Sequence, residues 1–252
     1  MDRSLLTRIG LGILGVVVLV GAFFVIRSTA PSAAPPEDSP SPVPWICSNA
    51  GPNYIKMREN RAKPFPMTID PKKHYFADIV TSCGTMRVEL DAKDAPIAVN
   101  NFVNLARSDF YVGQVFHRID RSLGVIQAGD PGCPSDVAEC GLGGPGYTIK
   151  DEWPTGLKPV LGAVAMASAG TPDSSGSQFE IIAGPSDEKL PRERTIFGQL
   201  QGQHSKDVAA LILSIPTKIN PAAVAAGVEA PEDFPSNEYV YIKKVRIIET
   251  NG

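Results

Sequence analysis

The chain has no excess of positive charge: across 252 residues, 24 lysines and arginines face 27 aspartates and glutamates, a net charge of −3. A nucleic-acid-binding domain carries a clustered basic excess, so no nucleic-acid partner is expected. The three histidines and four cysteines include no Cys-x-x-Cys and no histidine pair. That removes the usual ligand spacing of a zinc site, and no metal or cofactor is expected. No serine or cysteine stands beside a base in a recognisable nucleophile motif, which argues against hydrolase chemistry. There is no internal repeat.

What is present divides into three unlike parts. Ile9 to Ile26 carries no charge, and a helix of that length reaches about 27 Å, close to the hydrocarbon thickness of a bilayer. Arg3 and Arg8 precede it and Arg27 follows, so the positive-inside bias puts the short N-terminus, residues 1–8, in the cytoplasm. The reading is a single transmembrane helix over 9–26 in the cell membrane, with the body extracytoplasmic. A cleaved signal peptide competes, cut near Ser28-Thr29-Ala30 or Ser32-Ala33-Ala34, although its apolar region is usually only about 7–15 residues. No cysteine follows closely enough to suggest lipidation. Residues 27–68 begin with Pro31, Pro35, Pro36, Pro40, Pro42 and Pro44 among Ser and Ala. Such a stretch buries too little to fold and reads as an extended tether, although Trp45-Ile46-Cys47 is apolar enough to dock. Residues 69–252 read as the folded domain, expected to be monomeric.

In an extracytoplasmic domain an even set of cysteines reads as two disulfides. Three connectivities are possible and sequence does not choose among them. The preferred expectation pairs Cys133 with Cys140, closing a short loop, and Cys47 with Cys83, pinning the tether to the domain.

From His74 the pattern turns strand-like. His74–Thr81 and Thr85–Leu90 flank a Ser82-Cys83-Gly84 turn, a hairpin signal. Pro96 opens a helix with Val99, Phe102, Val103 and Ala106 at helical spacing. Further short apolar runs at Val112–Ile119, Val125–Ala128, Val160–Ala167, Phe179–Ile182, Thr195–Leu200 and Tyr239–Ile248 read as strands, and Ser205 as the cap of a second helix. Ile219–Asn237 is an Ala- and Pro-rich insert with no readable role. Many short strands with two helices indicate a mainly β domain, a barrel or a sandwich.

Four stretches, in this order, carry a family resemblance: Phe116-His117-Arg118 leading to Gln127-Ala128-Gly129-Asp130-Pro131; Gly141-Leu142-Gly143-Gly144-Pro145-Gly146-Tyr147 followed by Asp151-Glu152; Gly162-Ala163-Val164-Ala165-Met166-Ala167; and Gly176-Ser177-Gln178-Phe179. Together they resemble the cyclophilin-type peptidyl-prolyl isomerases, and the resemblance runs from about His74 to Glu249. It implies a closed eight-stranded antiparallel β-barrel capped by two helices. It also implies cis-trans isomerisation of X–Pro bonds in unfolded or exported proteins, with proline-containing segments as partners. The spacing from Met166 to Gln178 is similar to that of bacterial members.

The resemblance implies a catalytic role for Arg118, with Gln127 binding substrate backbone and orienting it. It places Phe116, Val125, Gly141, Met166, Ala167, Ser168, Gln178 and Leu190 along the substrate groove. An arginine suits the chemistry, being always charged and planar with several N–H donors. His117, as a strand neighbour of Arg118, is expected to point to the opposite face. The chain also departs from the family pattern. Between Arg118 and Gln127 it is one residue longer, with Leu123-Gly124-Val125 where an aromatic belongs. Glu180 replaces the Phe that floors the proline pocket, Arg194 stands where His or Tyr is usual, and Lys189 where a Trp or another large residue is usual. An unpaired carboxylate in an apolar pocket is costly, so Glu180 is expected to pair with Arg194, or alternatively with Arg118. These losses make a catalytically inactive peptide-binding module the second reading.

Overall fold

Alternating strand patterns and two amphipathic helices resolve into one curled sheet around one core. The computed structural model describes residues 47, 61–133, 140–185, 194–220, 224, 227, 232–235 and 239–251, all in the unit that runs from Pro44 to Gly252. The expected anchor over Ile9–Ile26 lies outside them, as do Lys189 and Leu190. Among the described residues no helix is long and apolar enough to cross a membrane.

In chain order the elements are β1 (His74–Thr81), β2 (Gly84–Leu90), α1 (Pro96–Arg107), β3 (Arg118–Asp120), β4 (Val125–Ala128), β5 (Ala163–Met166), β6 (Phe179–Ile182), β7 (Ile196–Leu200), α2 (Gly202–Leu213), β8 (Thr217–Lys218), β9 (Phe234–Pro235) and β10 (Ile242–Thr250). Eight strands make a single antiparallel sheet in the order β10-β1-β2-β7-β5-β6-β4-β3, while β8 and β9 pair separately. Successive strand side chains point to opposite faces, so Tyr75, Ala77, Ile79, Met86, Val88, Ile119, Ile126, Val164 and Ile181 all reach the core. Phe102 of α1 meets Phe179 edge-to-face at 5.5 Å. Fully burying each such ring contributes roughly 1.5–3 kcal/mol.

Pro96 occupies the first turn of α1, where its missing N–H costs no helix bond. The next two donors, Ile97 and Ala98 N–H, each reach a Glu152 carboxylate oxygen at 2.9 Å. A carboxylate there satisfies orphan donors and opposes the helix dipole. Burial raises the pKa of Glu152 although those two bonds oppose the rise.

The structure differs from expectation in several places. The fully closed barrel is instead a curled sheet with β3 and β10 at the ends of its order. Backbone bonds from the segment just before β3 close onto the start of β10: Gly113 N–H to Ile242 O at 2.8 Å, Ile242 N–H to Gln114 O at 2.8 Å and Phe116 N–H to Val240 O at 3.0 Å, around an isolated Val115–Tyr241 bridge. The strand read over Val112–Ile119 is shortened because Asp109 and Gly113 take positive φ, 58° and 81°, and turn the chain there. Ser205 caps nothing: it lies inside α2, and its Oγ accepts Arg87 N–H at 3.0 Å from β2.

Disulfides join Cys47 to Cys83 and Cys133 to Cys140. Part of the stretch read as tether packs on the domain. Thr68 N–H donates to Asn100 Oδ1 at 2.8 Å, Arg61 N–H to Pro145 O at 2.9 Å, and Phe65 lies against the core.

Candidate active site

Strand register assembles the site. Arg118 on β3 is paired with Gln127 on β4, Gln127 with Glu180 on β6, Glu180 with Ala165 on β5, and Ala165 with Ile196 on β7. Directly opposed residues share a face, so these side chains form one row on the side of the sheet away from the core. Ile182, Ala163, Ala165 and Ile196 make a small apolar cluster there. Val125, opposite Ile182 and two residues from Gln127, faces the same way.

Glu180 is 4% exposed in the middle of this row. Arg194 Nη1 bonds its Oε2, and Arg118 Nη1 lies 3.7 Å from its Oε1. Both partners expected for Glu180 therefore meet it together, with Arg194 the closer. Arg118 meets two further carboxylates: its Nε donates to Asp233 Oδ2 at 2.8 Å and its Nη2 to Asp120 Oδ2 at 2.7 Å. Burial alone would lower the pKa of Arg118, but Asp233, Asp120 and Glu180 outweigh it and hold the guanidinium firmly charged. Asp120 is itself braced, its Oδ1 accepting Ser122 Oγ at 2.7 Å and Leu123 N–H at 2.9 Å.

Gln127 turns toward the other half of the site. Its Nε2 donates to Gln178 Oε1 at 2.7 Å, and Gln178 Nε2 donates to the carbonyls of Gly141 and Gly143 at 2.8 and 2.7 Å. These residues border a cleft of about 260 Å³, also lined by Ala167 and Ser168. Ala167 N–H donates to Gln178 O at 3.0 Å, and Ser168 Oγ bonds Ser174 Oγ at 2.9 Å. Asp130 holds the glycine loop from below. Its carboxylate accepts N–H groups of Gly132, Gly141 and Gly143 at 2.7, 2.6 and 3.0 Å. Gly129 takes φ of 101°, and a Cβ there would come within 2.7 Å of Gln178 Cα. A bare glycine is what lets β4 and the Ser177-Gln178 segment approach so closely.

Two residues assigned to the groove lie elsewhere. Phe116 is fully buried, edge-on to Phe179 at 6.3 Å, and Met166 is 1% exposed in the core cluster. The reason for Met166 is alternation: it follows Ala165, which faces the groove, so it points inward. Conversely, sequence reading missed Asp120, Asp130 and Asp233. Asp120 was recoverable, since a strand residue two beyond Arg118 shares its face. Asp233 carried no such signal, because it arrives from the insert.

His117 is buried, and neither ring nitrogen finds a hydrogen-bond partner among the described residues. Burial pushes its pKa down to about 4, opposed by Asp130 and Asp233 and helped by Arg118. The ring is therefore neutral when folded, and its burial and weak basicity leave it no general-base role. As pH falls below the ordinary histidine value near 6.5, the unfolded chain takes up a proton that the folded one refuses. Stability should drop between about pH 6.5 and 4 by a total of roughly 3 kcal/mol. Denaturation midpoints across that range test this, with His117→Phe expected to flatten that component of the pH dependence.

Comparison with known proteins fits this geometry. Residues 76–231 match the family model described as cyclophilin type peptidyl-prolyl cis-trans isomerase/CLD. A probable peptidyl-prolyl cis-trans isomerase B of Mycobacterium tuberculosis is 36% identical over 165 residues, spanning 60% of this chain and 48% of that protein. A peptidyl-prolyl cis-trans isomerase of Helicobacter pylori is 41% identical over 129 residues, spanning 51% of this chain and 74% of that one. The chain thus spans about half the length of the mycobacterial B relatives it matches, 48% and 56%. Among solved structures, a cyclophilin-type isomerase of Cryptosporidium parvum superposes with a TM-score of 0.55 at 27% identity, over 69% of this chain and 98% of that one. The same parasite protein has also been solved in the presence of the dipeptide Ala-Pro. With the family match covering more than half of its length, the chain belongs to the cyclophilin-type peptidyl-prolyl cis-trans isomerase family.

Proposed function

We propose that this chain is a peptidyl-prolyl cis-trans isomerase acting on X–Pro bonds of extended segments in exported proteins. It is held at the cell membrane by Ile9–Ile26 with its domain on the extracytoplasmic side. The observation that carries the activity is the row Arg118–Gln127, set beside Gln178 and the cleft by strand register. Rotation about a peptide bond faces a barrier of about 18–20 kcal/mol, while X–Pro cis and trans forms differ by only about 0.5–1 kcal/mol. The barrier is what a catalyst must lower. As the bond twists, amide resonance is lost and the nitrogen lone pair becomes localised and able to accept a hydrogen bond. A fixed guanidinium aimed at that developing charge stabilises the twisted amide without a nucleophile or proton transfer. Gln127, held by Gln178 through one Nε2–H, offers its amide oxygen and its other N–H to the flanking backbone, and the cleft beside it accommodates a neighbouring side chain.

The membrane reading rests on the uncharged run, its flanking arginines and the two disulfides, which belong in an oxidising compartment. Protease added to bacterial spheroplasts expressing the full chain should remove the domain; a protected domain contradicts that topology. A second reading, a peptide-binding module with little catalysis, is favoured by one observation: the Glu180–Arg194 ion pair stands amid the apolar cluster where a proline ring would sit. Isomerase activity of the purified wild-type chain on short X–Pro peptides separates the two.

A further inference from the structure

The insert between α2 and β10 delivers a charged group to the arginine. β8 and β9 pair through Thr217–Pro235 and Lys218–Phe234. Phe234 is buried and stacks edge-on to Tyr239 at 6.2 Å. Ile119 N–H donates to Asp233 O at 2.7 Å, so the residue is fixed to β3 by its backbone as well. Its side chain then takes Arg118 Nε at 2.8 Å, while Asp120 takes Nη2 at 2.7 Å. Nε and Nη2 form one edge of the planar guanidinium. Two carboxylates on that edge fix the plane and leave the Nη1 end pointing along the row toward Glu180, 3.7 Å away. Of the five guanidinium N–H groups, Asp233 and Asp120 take two, and the two on Nη1 with the second on Nη2 are left for a substrate amide.

We infer that Asp233 is a positioning residue for the isomerase reaction: the insert exists on this side of the sheet to lock the Arg118 guanidinium in the pose that presents Nη1 to the twisting amide. This rests on the proposed activity. Asp233 lies in the insert, two residues beyond the segment matched by the family model, which ends at residue 231. An arginine held at Nη2 alone, by Asp120, samples several orientations, and misorientation lowers the rate of the bound complex more than it weakens binding.

The test compares the full-length wild type with Asp233→Ala and Asp233→Asn, using cis–trans exchange of short X–Pro peptides and the amide-region NMR signal of Arg118 Nε–H. Asp233→Ala should lower kcat about tenfold with little change in KM, and the Nε–H signal should lose its protection from solvent exchange. Asp233→Asn, which keeps the shape and one acceptor, should fall between. An unchanged or raised kcat in Asp233→Ala, or an Nε–H signal as protected as in the wild type, overturns the assignment. An inactive wild type instead overturns the isomerase reading; the Nε–H signal reports on the contact in either case.

Discussion

Replacing Glu180 by Phe and Arg194 by Ala together is expected to raise kcat/KM on short X–Pro peptides about ten- to a hundredfold. The row that carries Arg118 and Gln127 runs through Glu180 to Ala165 and Ile196, and apolar Ala163, Ile182 and Val125 surround it. A proline ring approaching this face now meets an ion pair. One well-buried aromatic in its place supplies roughly 1.5–3 kcal/mol of apolar burial, or about ten- to a hundredfold at 1.4 kcal/mol per decade. The double change also removes the third carboxylate near Arg118, concentrating its donor capacity on substrate. The single change Arg194→Ala should behave oppositely. Glu180 is 4% exposed and would keep only Arg118 at 3.7 Å. Removing one partner of a buried pair leaves an uncompensated charge, here costing about 2 kcal/mol because Arg118 compensates in part. Urea denaturation should show the single variant less stable than the double one. Equal stabilities, or a double variant no faster than the wild type, would count against the pocket described here.

Asp130→Ala is expected to destabilise the domain by about 3 kcal/mol, and so to lower its melting temperature by about 6–12 °C. Asp130 is fully buried and accepts three backbone N–H groups, from Gly132, Gly141 and Gly143. Without it those donors lose a charged acceptor, which is worth more than a neutral one. The consequence reaches the site through a short relay. The carbonyls of Gly141 and Gly143 hold Gln178 Nε2, and Gln178 Oε1 holds Gln127 Nε2. A loosened glycine loop therefore misplaces both glutamines, and kcat/KM should fall at least tenfold even well below the melting temperature. Calorimetry together with peptide exchange checks both effects. A variant as stable as the wild type would show that Asp130 does not anchor the loop.

Much of the fold was readable because its signals are local. The hairpin around Ser82-Cys83-Gly84 follows from two alternating runs and a turn, and α1 from Pro96 and the spacing of Val99, Phe102, Val103 and Ala106. Arg118 and Gln127 were placed by resemblance, and cross-strand register then explains why they meet. What was not readable depends on which face a residue takes and on distant partners. Met166 and Phe116 lie in motifs that border the groove, yet alternation and packing send both into the core. Ser205 looks like a cap by residue type, but α2 already begins at Gly202, and its hydroxyl is used by β2 instead. Asp130 belongs to a quoted motif, but its role depends on loop N–H groups as far on as Gly143. Asp233 is separated from Arg118 by most of the domain, and the β8–β9 pairing, the Ile119 N–H bond to its carbonyl and the burial of Phe234 bring them together.

The most direct test is exchange NMR of a short Ala–Pro peptide with the purified wild-type chain beside Arg118→Ala. The expected result is clear acceleration by the wild type and a loss of about a hundredfold or more in the variant, the range typical of removing one preorganised donor. A wild type no faster than the uncatalysed exchange, or an Arg118→Ala variant as fast as the wild type, would contradict an isomerase working through this arginine.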